Sequence, residues 1–251
     1  MRTDRLESDP MERIDFNLQE KSVENKKLNF LARLYSSDKR DIFFFGEDAV
    51  YDERKNFKQY HEVKHVCIDG EILTIEANYT VIKCRVDKIS PNMLVSHRNA
   101  AFSSDMNHRY TLWDWWDTSK EYAMFIGLNP STADEIKNDP TVTRCINFSK
   151  RWGYGGFCMT NMFSYRATDP KEMKSQPEWE LNHLTNKFAL KDISRKAGIV
   201  VACWGSHGEH LDGDSKVRRL IKKPMFCLGK TKKGLPRHPL YIKSNKQLEG
   251  L

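Results

Sequence analysis

Four polar side chains stand where an apolar run stops: Asn129, Asn161, Ser206 and His238. Asn129 lies in Gly127-Leu128-Asn129-Pro130-Ser131, at the end of YAMFIGL (122–128). A Gly-x-Asn-Pro turn frees the Asn side chain to point away from a sheet, with Pro130 stiffening the turn. The same Asn would serve as a simple turn cap. Asn161 closes FCMTN (157–161). Its amide has donors and an acceptor, enough to pair with a base edge, or it caps a strand end. Ser206 follows Trp204-Gly205 after GIVVACW (198–204), and His238 sits in RHPLY (237–241). A histidine there either faces a ligand or rests buried against backbone. Asp134 and Asp139 are nearby carboxylates able to orient water or face a cationic centre. Asp139-Pro140 also reads as a helix cap, and that reading is favoured.

The elements that must position these groups alternate. From Arg109 onward, short apolar strands at 122–128, 157–161, 198–204 and 225–228 alternate with helical stretches at 140–152, 179–195 and 215–222. That pattern predicts an α/β fold with a parallel, doubly wound sheet flanked by helices. In such sheets ligands bind beyond the carboxyl ends of the strands, where the polar residues collect. Ahead of this lies a small N-terminal α+β module. Its loosely amphipathic stretch runs from Phe16 to Leu34, and its strand-like runs are 61–68, 72–77 and 79–89. Residues 91–107 read as a polar linker. The expected domains are therefore 1–95 and 109–251.

Composition narrows the classes. The chain has 251 residues, 39% hydrophobic and 11% aromatic, which supports a packed core and argues against global disorder. No run approaches the ~18 apolar residues of a membrane span, and the first residues lack the apolar stretch of a signal peptide. A cytoplasmic location is expected. The six cysteines are scattered without C-x-x-C and read as reduced thiols, so neither a metal nor another cofactor is expected. Charge is uneven. Asp214–Leu251 holds 11 Lys/Arg against two Asp/Glu, while the whole chain carries only +7. A basic face on a near-neutral body points to a polyanion, nucleic acid first, or to a solvated tail.

Four segments in order carry a family likeness: Gly127-Leu128-Asn129-Pro130-Ser131, Asn161, Trp204-Gly205-Ser206 and His238-Pro239-Leu240. Over 122–242 the chain resembles the uracil-DNA glycosylase superfamily. With NDPT, GYGG, RATDP and GLPRHPLY it is also similar to a bacterial and phage family of unknown function, and to a phage-defence glycosylase of that superfamily acting on hypermodified cytosine. The resemblance implies the superfamily's parallel sheet and a monofunctional DNA glycosylase. Asn129 would position the water, His238 would donate to the departing base, and Asn161 would read its edge. Asp134 and Asp139 would assist, with Ser206 lining the pocket. Tyr154, Phe157 and Phe163 would stack on a flipped base, and Arg166 would contact phosphate or pair with an acid. Lys230, Lys232, Lys233 and Arg237 would meet phosphates, and Leu235, Leu240 or Tyr241 would wedge into the duplex. The usual His-Pro-Ser-Pro is here His238-Pro239-Leu240-Tyr241, which favours a larger or more polar base than uracil. No lysine nucleophile stands at a strand end, so hydrolysis without strand nicking is expected.

The implied partner is DNA, double-stranded and bearing modified phage bases, acted on by a monomer in antiviral defence. A uracil- or thymine-type repair glycosylase, a nucleoside or nucleotide hydrolase, and a non-catalytic nucleic-acid binder remain alternatives.

Overall fold

A computed structural model describes residues 93–181 and 183–251 and, ahead of these, seven strand segments between 30 and 90. The seven are β1 (Phe30–Leu34), β2 (Asp41–Gly46), β3 (Ala49–Asp52), β4 (Val63–Asp69), β5 (Ile72–Ala77), β6 (Val81–Arg85) and β7 (Lys88–Ser90). Next come β8 (Met93–Ser96), β9 (Arg98–Phe102), β10 (Arg109–Trp115) and β11 (Tyr122–Gly127). The chain continues through α1 (Pro140–Arg151), β12 (Gly156–Asn161), α2 (Pro170–Lys174), α3 (Glu178–Leu181), α4 (Leu184–Lys196) and β13 (Ile199–Ala202). It ends with α5 (Gly213–Leu220), β14 (Met225–Cys227) and β15 (Glu249–Gly250).

The fold is α/β, with a mixed sheet flanked by helices. Its order is β15-β14-β13-β11-β12-β10-β9-β6-β5-β4. Only β14, β13, β11 and β12 are mutually parallel, because helices carry the chain between them. The all-parallel sheet expected from the sequence is corrected here: β10 pairs antiparallel with both β12 and β9, and the ladder continues through β6, β5 and β4. Residues 91–107, read as a linker, hold β8 and β9. In β9, Ala100 and Phe102 are fully buried, and the polar Arg98 and Asn99 are buried as well. The sheet thus runs across the interval expected to divide two domains. A second sheet has the order β3-β2-β1-β8-β7. The amphipathic stretch from Phe16 lies mostly outside the described residues; its last part, Phe30–Leu34, is β1, drawn into strand by pairing with β2 and β8.

Strand alternation builds a core on each side of the sheet. Met124, Ile126, Val200 and Ala202 face Leu190 and Ile193 of α4 and Val217 of α5. Ala123, Phe125, Phe157, Met159 and Val201 face Val142, Cys145, Ile146 and Phe148 of α1. The stretch 179–195 divides into α3 and α4, and the helix expected over 215–222 starts earlier, at Gly213.

α1 begins as the sequence indicates. Asp139 caps it, accepting from the Val142 amide at 2.7 Å, with Pro140 in the first turn and Lys150 and Arg151 in the last. β11 and β13 send their connections to opposite sides of the sheet, which opens a crevice at their carboxyl ends.

Candidate active site

Beyond those carboxyl ends lies a cavity of about 760 Å³. Its walls come from the segments after β11, β12, β13 and β14. Asn129, Asp139, Asn161, Ser206, Arg237, His238, Leu240 and Tyr241, all singled out in the sequence, border it.

Asn161 ends β12 beside Gly127 of β11, its partner in the parallel ladder. A Cβ on Gly127 would lie 2.7 Å from the Asn161 amide nitrogen, so only glycine leaves the amide its place. Asn161 is buried, and its Oδ1 has no hydrogen-bond partner. Beneath it, Asn186 of α4 donates to the carbonyls of Asn161 and Met162 at 3.0 and 3.1 Å, holding the strand end in place. An unmet acceptor buried in a cavity wall is costly unless a ligand satisfies it.

Asn129 is half-buried. Its Nδ2 donates to the Ala167 carbonyl at 2.8 Å and to the Pro130 carbonyl at 3.2 Å. Carbonyl partners require the nitrogen on that side, which fixes the amide orientation. Oδ1 makes no hydrogen bond among the described residues and stands as an acceptor.

His238 leads into a single 3-10 turn, Pro239–Tyr241, that is clamped from α1, where Arg144 donates to the carbonyls of Pro239, at 2.9 Å, and Ile242. Burial pushes the His238 pKa below the ordinary 6.5, and Asp139 partly opposes this. The ring is therefore neutral at neutral pH. Its Nδ1 is buried without a partner. Gly205, at φ +72°, turns the chain after β13, and a Cβ on it would lie 3.6 Å from the His238 Cβ.

The loop after β11 is pinned by the antiparallel half of the sheet. Arg98 donates to the carbonyls of Asp134 and Glu135 at 2.6 and 2.8 Å and pairs with Asp114 at 3.1 Å. Arg109 donates to the Ala133 carbonyl. Arg109 also borders the cavity, as do Thr141 and Trp204. Sequence reasoning missed Arg109, Arg98 and Arg144. The one available signal was a charge heading the apolar strand RYTLWDW.

Other expected residues fall elsewhere. Asp134 accepts from the amides of Ile136 and Lys137, so it shapes the loop and does not border the cavity. Tyr154 precedes β12 and packs at the opposite end of the sheet, against Gly198. Phe163 is a core residue, edge-on to His210 at 5.7 Å. Arg166 lies over the Phe102 ring at 5.1 Å and donates to the Met106 carbonyl, facing a shallower depression. Lys233 pairs with Glu209 at 2.9 Å, while Lys230 and Lys232 are exposed. Much of the basic C-terminal charge is paired, through Lys216–Glu178, Arg218–Asp214, Arg219–Asp212 and Lys246–Glu249.

A family described as "Protein of unknown function (DUF1643)" matches residues 109–240. The chain belongs to this family. The match starts at Arg109 and ends at Leu240, so it spans all the residues that border the cavity except Tyr241. No curated protein and no solved structure matches the chain. Among the described residues no helix is long and apolar enough to cross a membrane.

Proposed function

We propose that the protein is a monofunctional DNA glycosylase that hydrolyses the N-glycosidic bond of a modified base, with hypermodified or glucosylated cytosine of phage DNA as the substrate class. The carrying observation is that one cavity gathers the Asn129 Oδ1 acceptor, neutral His238 and the unmet Asn161 Oδ1. These occupy the positions where the sequence resembles the uracil-DNA glycosylase superfamily.

In this reading the base is extruded into the cavity and its edge meets Asn161. The electron pair of the C1′–N bond leaves with the base, and the sugar becomes oxocarbenium-like. Asn129 holds a water by accepting one of its hydrogens, and the water adds to C1′, losing a proton to solvent. An amide is a weak base, so turnover is slow. Asp139 spends one oxygen on its helix cap, and its negative charge favours the cationic sugar. His238 donates to the departing base. A cavity of about 760 Å³ is roomy for a bare pyrimidine and suits a decorated one. Leu240 and Tyr241, 40% and 76% exposed at its rim, are apolar side chains suited to fill the gap left in the duplex. Exposed Lys230 and Lys232 supply phosphate contacts.

The test is incubation with DNAs carrying different bases, followed by mass analysis of what is released. Release of a sugar-decorated cytosine base, with uracil a poor substrate, supports the reading. Release of uracil as readily as a bulky base would overturn the substrate class and keep the reaction. Release of nothing from any DNA would overturn the reaction.

A further inference from the structure

Arg109 is a buried cation in the cavity wall with almost nothing to bind. Its side chain is among the most completely buried in the molecule. Its one hydrogen bond from the guanidinium goes to the Ala133 carbonyl, and its Nε–H is buried without an acceptor. Among the described residues it forms no ion pair. Asp139 and Asp134 act on it only at a distance, and Arg166 adds positive charge nearby. Burial lowers its pKa to about 10, which still leaves it charged at neutral pH. Buried arginines normally meet a carboxylate or several carbonyls, because an uncompensated charge is costly. Here the compensating group must come from the cavity's occupant. A planar guanidinium with donors to spare suits an anion delocalised over a flat ring.

We propose that Arg109 makes this wall of the cavity an anion site, and that the anion it holds is the base as it departs. The identity of the anion rests on the glycosylase reading; the anion site does not. As the C1′–N bond breaks, the electron pair passes to the base, and its ring nitrogen and oxygens become negative. A fixed positive charge in a water-poor site favours that distribution over the neutral ground state. Arg109 therefore acts on charge, beside the neutral donor His238.

The experiment is calorimetric titration of the full chain with two free pyrimidines of similar size at one neutral pH: 5-nitrouracil, largely a monoanion, and thymine, neutral. The wild type is expected to bind the anion more tightly by about tenfold or more, the gain of a charge-assisted hydrogen bond. Arg109→Gln should lose that preference, and Arg109→Lys should retain part of it. In base release, the Arg109→Lys rate should fall most for the least acidic leaving base, a pattern that mere loosening of the Ala133 loop would not produce. An anion preference without any base release would keep the anion site and sink the glycosylase reading. No preference in the wild type, or one that survives Arg109→Gln, would overturn the proposal even if bases are released. Should Arg109→Gln not fold, the wild-type comparison and Arg109→Lys still decide it.

Discussion

The two ends of the parallel strands are built on opposite principles. At the amino end, packing leaves no room. A Cβ on Gly155 would lie 1.9 Å from the Asp117 carbonyl oxygen, one on Gly156 2.5 Å from the Trp115 ring, and one on Gly198 2.5 Å from Tyr154. Polar groups there are largely met: Tyr122 donates to the Ile193 carbonyl at 2.7 Å and Trp116 to the Tyr154 carbonyl at 2.9 Å, with the Trp115 indole N–H as the exception. At the carboxyl end, a cavity opens, and three buried polar atoms on residues that border it, on Asn161, His238 and Arg109, lack partners among the described residues. One end spends its sequence on stability. The other leaves polar capacity for something that is not part of the chain.

Breaking the closed end should have the largest effect. Gly155→Ala meets backbone that cannot step aside, so a loss of about 3 kcal/mol is expected from urea unfolding, the upper end of overpacking costs. Asn186→Ala, which abandons two strand-end carbonyls, should cost about 2 kcal/mol. Gly127→Ala presses on two side chains, Asn161 at 2.7 Å and the end of Met159 at 3.3 Å, and both can shift. About 1 kcal/mol is expected, with a larger loss of base discrimination. Asn161→Ala sharpens the contrast. It removes an unmet buried acceptor, so stability should stay within about 0.5 kcal/mol although the residue is only 2% exposed. A loss as large as that of Asn186→Ala would mean Asn161 is structural.

The smallest effect concerns pH. Burial holds His238 below the ordinary value of 6.5, and His210 is shifted the same way. The unfolded chain takes up these protons first. Their contribution to stability is therefore complete above 6.5 and lost as the pH falls toward the folded values. His238→Gln should shrink the drop in urea midpoint between about pH 7.5 and about pH 5.5.

Much of the carboxyl end was legible. A buried parallel strand is a continuous apolar run, and its end is marked by the first polar residue, so Asn129, Asn161 and Ser206 could be placed from the sequence. The cap at Asp139 was legible for a local reason: a short acceptor before Pro140. The antiparallel half was not. β9 reads as RNAAF, and its polar residues became tolerable only through distant partners such as Asp114 and the 134–135 carbonyls. Arg109 was hidden for the same reason. Tyr154 and Phe163 were misjudged because an aromatic near a strand does not reveal which end or face it takes. Tyr154 precedes β12, so it belongs to the closed end, and Phe163 follows it but turns into the core.

The central claim is that the open end performs hydrolysis at C1′. Its most direct test is a single-turnover assay of DNA bearing sugar-decorated cytosine, scored for alkali-labile sites, with wild type, Asn129→Ala and His238→Ala compared at matched DNA binding. The account predicts an intact strand with abasic sites for the wild type. Each variant should be slower by ~10²–10³ with nearly unchanged DNA affinity. Base release by both variants at the wild-type rate would contradict it.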